Sequence, residues 1–344
     1  MARQYRATDF DYTYPPEAVA QDPLPDRSAS RLLILDRATG NTTHRRFRDF
    51  PTLLDPGDVL VLNTSRVIPA RLHGRRDNGR PAEVLLVHSE PDGTWLAMVH
   101  PGGKLKAGRR VYFGDEATAE IVDVVGGGLR RLRIAGPLSI EHVMERFGSV
   151  PLPPYITRPP RPEDRLRYQT VYANTDGSVA APTAGLHFTK ELLETVAARG
   201  ATTVDVLLHV GPGTFKPVEV DNPANHTMHA EWYAVPDATA HAIAEAKTRG
   251  RRVWAVGTTV ARSLEAAATD GGIRALSGWT DLFIFPPYRF TVVDRLLTNF
   301  HLPRSTLIML VAALGGYEHT MAAYRTAVAE RYRLFSYGDA MAVV

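Results

Sequence analysis

The chain has 344 residues, 44% hydrophobic and 22% charged, with a net charge of +3. That composition is ordinary for a globular protein and gives no case for disorder, and the length exceeds what one core usually holds, so two domains are expected. Cysteine is absent, which excludes disulfides, thiolate metal sites and cysteine nucleophiles and fits a cytoplasmic setting. The longest apolar run, TLIMLVAAL at 306–314, is far short of the ~20 residues of a membrane span. The charged start MARQYRATDFDY carries no apolar leader.

In chain order, RLLILDR (31–37) reads as a strand without a sheet of its own nearby. From about Pro56 to Pro154 the runs DVLVLN, PARLHG, AEVLLVHS, TWLAMVH, RRVYFG, TAEIVDVV and RRLRIAG are short, β-branched and separated by turn residues. That spacing predicts a small all-β barrel or sandwich, with one short helix from Ser139 to Phe147. PLPPYITRPPRP (151–162) suits an extended linker. Helix and strand signals then alternate: Thr189 capping KELLETVAAR, the strand TTVDVLLHV (202–210) covered on both faces, Asp237 capping ATAHAIAEAKTR, the strand RRVWAVG (251–257), the helix VARSLEAAA, the strand DLFIF (281–285) and the helix STLIMLVAAL. The fold class predicted is α/β: a barrel-like or mixed-sheet α/β domain (1–56 and 155–344) with an inserted all-β barrel domain (57–154).

Three glycine-rich turns stand where such a domain places ligands. APTAGLHFT (181–189) runs into a capped helix, HVGPGTF (209–215) ends a strand, and VGTT (256–259) joins a strand to a helix. Ligands of α/β sheets bind outside the carboxyl ends of the strands, helix N-termini offer free N–H groups to anions, and glycine lets backbone approach closely. Each turn alone reads more readily as a plain connection; three in one region argue for a cradle. None matches a dinucleotide or nucleotide-triphosphate loop. His226, His229 and Glu231 in HTMHAE do not make a metal site, because only a helix would bring the two histidines to one face and WYAV reads as a strand. The lone histidines His209 and His301 suit hydrogen-bonded packing. LPPY (152–155) and FPPY (285–288) place tyrosine beside proline, which suits either base stacking or a rigid turn. Arginine clusters at 44–48, 71–76, 108–110, 129–134 and 158–167 give modest support for a polyanionic partner.

DFDY, SRLLILD, NTSRVIPARLHG, PLPPYITR, RYQTVYA, GSVAAPTAGLHFT, LHVGPGTFKPV, HTMHAEWY, VGTTVARSLE, TNFHLPRSTLIMLV and YRLFSYGDAM, in this order over nearly the whole chain, resemble the S-adenosylmethionine:tRNA ribosyltransferase-isomerase family of queuosine biosynthesis. The resemblance implies transfer and isomerisation of the ribosyl part of S-adenosylmethionine onto 7-aminomethyl-7-deazaguanine at the wobble position of a tRNA, giving epoxyqueuosine with release of adenine and methionine. It also implies a metal-free monomer with an inserted barrel. The family often has glycine at the position of Pro287 and alanine at that of Pro212.

Under that reading the proton steps call for histidine or carboxylate. His187 and His229 are the candidate acids or bases, with Glu231 orienting one of them or facing the sulfonium. Thr183, Gly185, Gly211, Gly213, Thr214, Gly257, Thr258 and Thr259 are expected to bind S-adenosylmethionine, with Asn299 and His301 completing the pocket. Arg66 and Arg71 are expected on tRNA phosphates, and Tyr155, Tyr168 and Tyr288 on bases. The rivals are an S-adenosylmethionine-dependent RNA methyltransferase, which the missing glycine-rich methyltransferase loop disfavours, and a non-catalytic RNA-binding module.

Overall fold

The computed structural model describes residues 3–215 and 217–344, with Pro212 and Phe215 described by backbone alone. A nine-stranded mixed sheet runs through it in the order Leu276–Thr280, Glu231–Val235, Thr202–Leu208, Val59–Asn63, Val253–Val256, Arg295–Asn299, Ala340–Val343, Arg31–Leu35 and Thr42–Arg46. Four central neighbours, from Thr202–Leu208 to Arg295–Asn299, are parallel to one another. Their carboxyl ends therefore open on one edge of the sheet.

Why these runs are so apolar follows from the pleat. In Val59–Asn63, Val59 and Val61 face one core with Val260, Leu264 and Ile308, while Leu60 and Leu62 face another with Phe47, Phe50, Phe188 and Leu192. A strand buried on both faces needs apolar residues at every position rather than at alternate ones. Trp254 anchors the second core, its ring edge-on to Phe50 and its Nε1–H donating to buried Asp58.

The barrel is a second sheet. Arg71–Arg76, Pro81–Ser89, Trp95–His100, Leu129–Ala135, Ala117–Gly126 and Arg110–Phe113 pair antiparallel in that order, and the last pairs back onto the first, closing six strands; Gly148–Ser149 adds to Arg71–Leu72 outside the ring. Closure depends on Gly74, where a Cβ would lie 2.6 Å from the Tyr112 carbonyl oxygen. Leu72, Val84, Leu86, Val111, Ile121 and Leu132 fill the interior with Val143 of the expected short helix, Ile140–Phe147, which Ser139 caps.

The sequence-based outline needs four corrections. Val59–Asn63 belongs to the large sheet, so the barrel sheet starts at Arg71 and not near residue 57: DVLVLN has barrel-like composition, but its partners lie about 140 and 190 residues away in the chain and leave no local trace. Thr202–Leu208 is buried only at Val206 and Leu208, because Glu231–Val235 pairs with it only at Leu207 and Leu208 and leaves its first half at an uncovered edge. Residues 281–285 form no strand: the Leu282 N–H turns back onto Thr280 Oγ1, and Pro286 and Pro287 offer no N–H to a ladder. Asp237 opens its helix without a side-chain cap, which Pro236 precedes. Thr189 does cap the helix Lys190–Ala198, accepting from the Leu192 N–H. Among the described residues no helix is long and apolar enough to cross a membrane.

Candidate active site

The carboxyl ends of the parallel strands frame a cleft, open at its mouth. Each wall is a turn singled out by its small residues. Residues 181–184 enter from the short 3-10 helix Thr183–His187, Thr214 from the loop after Thr202–Leu208, Gly257–Thr259 from the turn after Val253–Val256, and Thr298, Asn299 and His301 from the end of Arg295–Asn299. Thr183, Thr214, Gly257, Thr258, Thr259, Asn299 and His301 thus line one cleft, with Tyr155 beside them. Gly257 caps the helix Thr258–Ala266 at φ +95°, a conformation that favours glycine. The first-turn N–H groups of that helix are left without intrahelical partners beside the cleft.

The polar floor is tightly wired. Asn299 Nδ2 donates to His187 Nε2 (3.2 Å) and to the Phe335 carbonyl (3.1 Å), while Asn299 Oδ1 is buried without a partner. An amide nitrogen only donates, so His187 Nε2 is the acceptor and its Nδ1–H donates to Ser30 Oγ at 2.7 Å. Burial, reinforced by the charges of Arg27 and Arg333, lowers the His187 pKa to about 3. The ring is therefore neutral, with neither nitrogen free, and it lies behind the cleft rather than in its wall. His301 is likewise buried, its pKa lowered to about 3 by desolvation and its Nε2 bonded to Thr298 Oγ1 at 2.7 Å. Phe335, in the cleft wall, holds a left-handed φ of +68°. A bulky residue keeps such a backbone only where its surroundings impose it, and here Asn299 grips its carbonyl.

Other expected residues serve the cleft from outside. Glu231 is buried: Oε2 pairs with Arg262 Nη1 at 2.6 Å and Oε1 accepts the Gly211 N–H at 2.8 Å. It thereby ties the loop that carries Thr214 to the helix Thr258–Ala266. A Cβ on Gly213 would sit 2.6 Å from the exposed His229 ring, and one on Gly185 would sit 2.0 Å from Tyr172 Oη. These glycines make room for side chains rather than for a ligand. Behind Val210 in the wall, His209 Nδ1 meets Ser65 Oγ, which meets Ser178 Oγ, the acceptor of the Val210 N–H.

The RNA candidates separate by exposure. Tyr155 lines the cleft, its hydroxyl on Ser336 Oγ at 2.6 Å and its ring against Phe335. Tyr168 is 1% exposed and packs on Tyr337, so no base can stack on it. Tyr288 is half-buried and holds Glu265 through its hydroxyl. Arg66 faces Asp176, and Arg71 pairs with Glu83 at 2.6 Å. Sequence reasoning missed Thr298, Ser305 and Ser336 in the cleft wall and Arg262 behind it. Ser305 had a readable signal, as the capping residue of the helix Thr306–Gly315; Arg262 had none.

Residues 7–343 match the family described as queuosine biosynthesis protein. The chain is 52% identical to the S-adenosylmethionine:tRNA ribosyltransferase-isomerase of Moorella thermoacetica, over 98% of this chain and 100% of that one. It is 48% identical to the protein of the same name from Clostridioides difficile, over 98% and 99%. Among solved structures it resembles the S-adenosylmethionine tRNA ribosyltransferase of Thermotoga maritima, with a TM-score of 0.57 and 39% identity over 98% of this chain and 100% of that one.

Proposed function

This chain belongs to the queuosine biosynthesis protein family, and from that premise we propose that it is an S-adenosylmethionine:tRNA ribosyltransferase-isomerase acting in the cytoplasm. It moves the ribosyl part of S-adenosylmethionine onto 7-aminomethyl-7-deazaguanine at the tRNA wobble position and isomerises it, forming epoxyqueuosine and releasing adenine and methionine. S-adenosylmethionine supplies the chemistry through its sulfonium, which acidifies the adjoining ribose C5′ protons and later leaves as methionine sulfur. The observation that carries the reading is the joining of full-length relatedness to one cleft at the ends of four parallel strands.

The cleft residues fit a nucleoside. Thr183, Thr258 and Thr259 offer hydroxyls that both donate and accept, and the partnerless Asn299 Oδ1 is buried in the same wall. Tyr155 at the wall is the stacking group for the wobble base. His187 acts as a positioning residue: neutral and doubly bonded, it orients Asn299. Glu231 with Arg262 fixes the 211–214 loop.

Incubation with S-adenosylmethionine and a tRNA carrying the aminomethyl base, followed by chromatography of the small products, tests the reading. Free adenine is expected. S-adenosylhomocysteine would make the protein a methyltransferase, and no turnover would leave it an RNA-binding module.

A further inference from the structure

A second cavity, partly open to solvent, lies behind the cleft. Ser336 lines both spaces, and His187, in the wall of the second, bonds to Asn299 in the wall of the first. Three guanidinium groups converge on this second cavity: Arg27, Arg167 and Arg333. They come from a 3-10 turn near the N-terminus, the short helix Asp164–Arg167 and the chain just before the last strand.

What they bond to is informative. Arg27 donates to the carbonyls of Leu186 (3.0 Å) and Leu166 (2.9 Å), Arg167 to those of Pro25 and Leu24, and Arg333 to that of Asp22. Among the described residues none of the three makes an ion pair. The acids nearby are engaged elsewhere: Asp22 pairs with Arg158 and Arg161, Asp164 with Arg158, and Asp339 accepts the backbone N–H groups of Arg31 and Arg333. Arg167 Nε and Arg333 Nη1 are buried with no acceptor. Burial lowers the pKa of Arg27 and of Arg333, and the charge of Arg167 lowers that of Arg27 further. Arg27 and Arg167 repel one another, Asp339 and Asp22 only partly offset the burial of Arg333, and with donors unspent and two serine hydroxyls beside them the three arginines favour an anion. The planar guanidinium matches an oxyanion in particular.

We propose that this cavity holds a backbone phosphate of the tRNA next to the nucleotide that enters the cleft, with Arg27, Arg167 and Arg333 as its ligands. The proposal rests on tRNA being the substrate. A polymer is favoured over the carboxylate of the methionyl group because Arg167 closes the basic segment 158–167, whose Arg165 is exposed and bonded only to backbone carbonyls. A strand held by one phosphate there continues along a basic surface. Arg66 and Arg71, each already facing a carboxylate, are replaced in this role.

The test uses the full chain with Arg27→Gln, Arg167→Gln and Arg333→Gln, and as probe a tRNA with unmodified guanine at the wobble position, which binds without turnover. Each substitution is expected to weaken RNA binding about tenfold and to lower the salt slope by about one, while S-adenosylmethionine binding by calorimetry is unchanged. Because a glutamine variant can misfold, wild-type protein is also titrated with anticodon stem-loops carrying one neutral methylphosphonate at successive positions. One position beside the wobble nucleotide should lose about tenfold, and Arg167→Lys should retain part of the contact. Equal affinity for every methylphosphonate, or weakened S-adenosylmethionine binding with RNA binding intact, overturns the proposal. Adenine release by the wild-type protein reports on the reaction separately, so an RNA effect without adenine keeps the phosphate site and removes the reaction.

Discussion

Breaking the Glu231–Arg262 pair separates two roles that the sequence leaves open for Glu231. Both side chains are almost wholly buried, 8% and 6% exposed, and the carboxylate serves Arg262 through Oε2 and the Gly211 N–H through Oε1. Arg262 Nε and Nη2 have no other acceptor. Glu231→Gln keeps an acceptor for Gly211 but strands a buried guanidinium, which costs about 3–5 kcal/mol. Arg262→Met strands the carboxylate at a similar cost. The double variant Glu231→Gln/Arg262→Met removes both charges and preserves the Gly211 bond, so it should be more stable than either single variant. Denaturant midpoints and melting temperatures of the four proteins read this order directly. In turnover assays the single variants should raise the KM for S-adenosylmethionine by loosening the loop that carries Thr214, with kcat largely kept. A Glu231→Gln protein of wild-type stability and KM whose kcat falls a hundredfold would refute the latch and make Glu231 a proton-handling group.

Three further outcomes follow from burial and pairing. His187 and His301 are neutral when folded, with pKa lowered to about 3 against 6.5 for a free ring. Unfolding lets them bind protons, so their contribution is whole above pH 6.5 and declines as pH falls toward 3; at pH 5.5 each ring has given up about 1 kcal/mol. Melting curves at pH 7.5 and 5.5 should show that loss, and His187→Gln should shrink it if it folds. Tyr155→Ala should weaken tRNA binding by the ~1–3 kcal/mol of one stacked base, whereas Tyr168→Phe should leave it unchanged, since that ring is sealed against Tyr337. Arg71→Gln should leave the salt slope of tRNA binding flat relative to wild type, because Glu83 already answers its charge.

The parts of the site legible in the sequence are those written locally. VGTT before a helix and TNFH after a strand mark strand ends, and both line the cleft. Glycine is ambiguous because its use depends on what approaches from elsewhere: Gly257 shapes the cleft turn, while Gly185 admits Tyr172 and Gly213 admits His229. His187 drew attention as a lone titratable ring among small residues, yet its surroundings, Ser30 and Asn299, come from distant segments and bond both of its ring nitrogens. Arg262 sits mid-helix in VARSLE and gains meaning only from Glu231. The same holds for Arg27, Arg167 and Arg333, which share a cavity only after folding. Apolar composition misled at DLFIF, where Ile284 is buried without entering a ladder.

The central claim is that the sugar of S-adenosylmethionine, and not its methyl group, travels to the RNA. It is tested by supplying S-adenosylmethionine labelled in the ribose with one isotope and in the methyl group with another, together with tRNA carrying the aminomethyl base. The account predicts ribose label in the recovered tRNA and methyl label in free methionine, with one adenine released per ribosyl group transferred. Methyl label in the tRNA with the ribose label left in S-adenosylhomocysteine would contradict it.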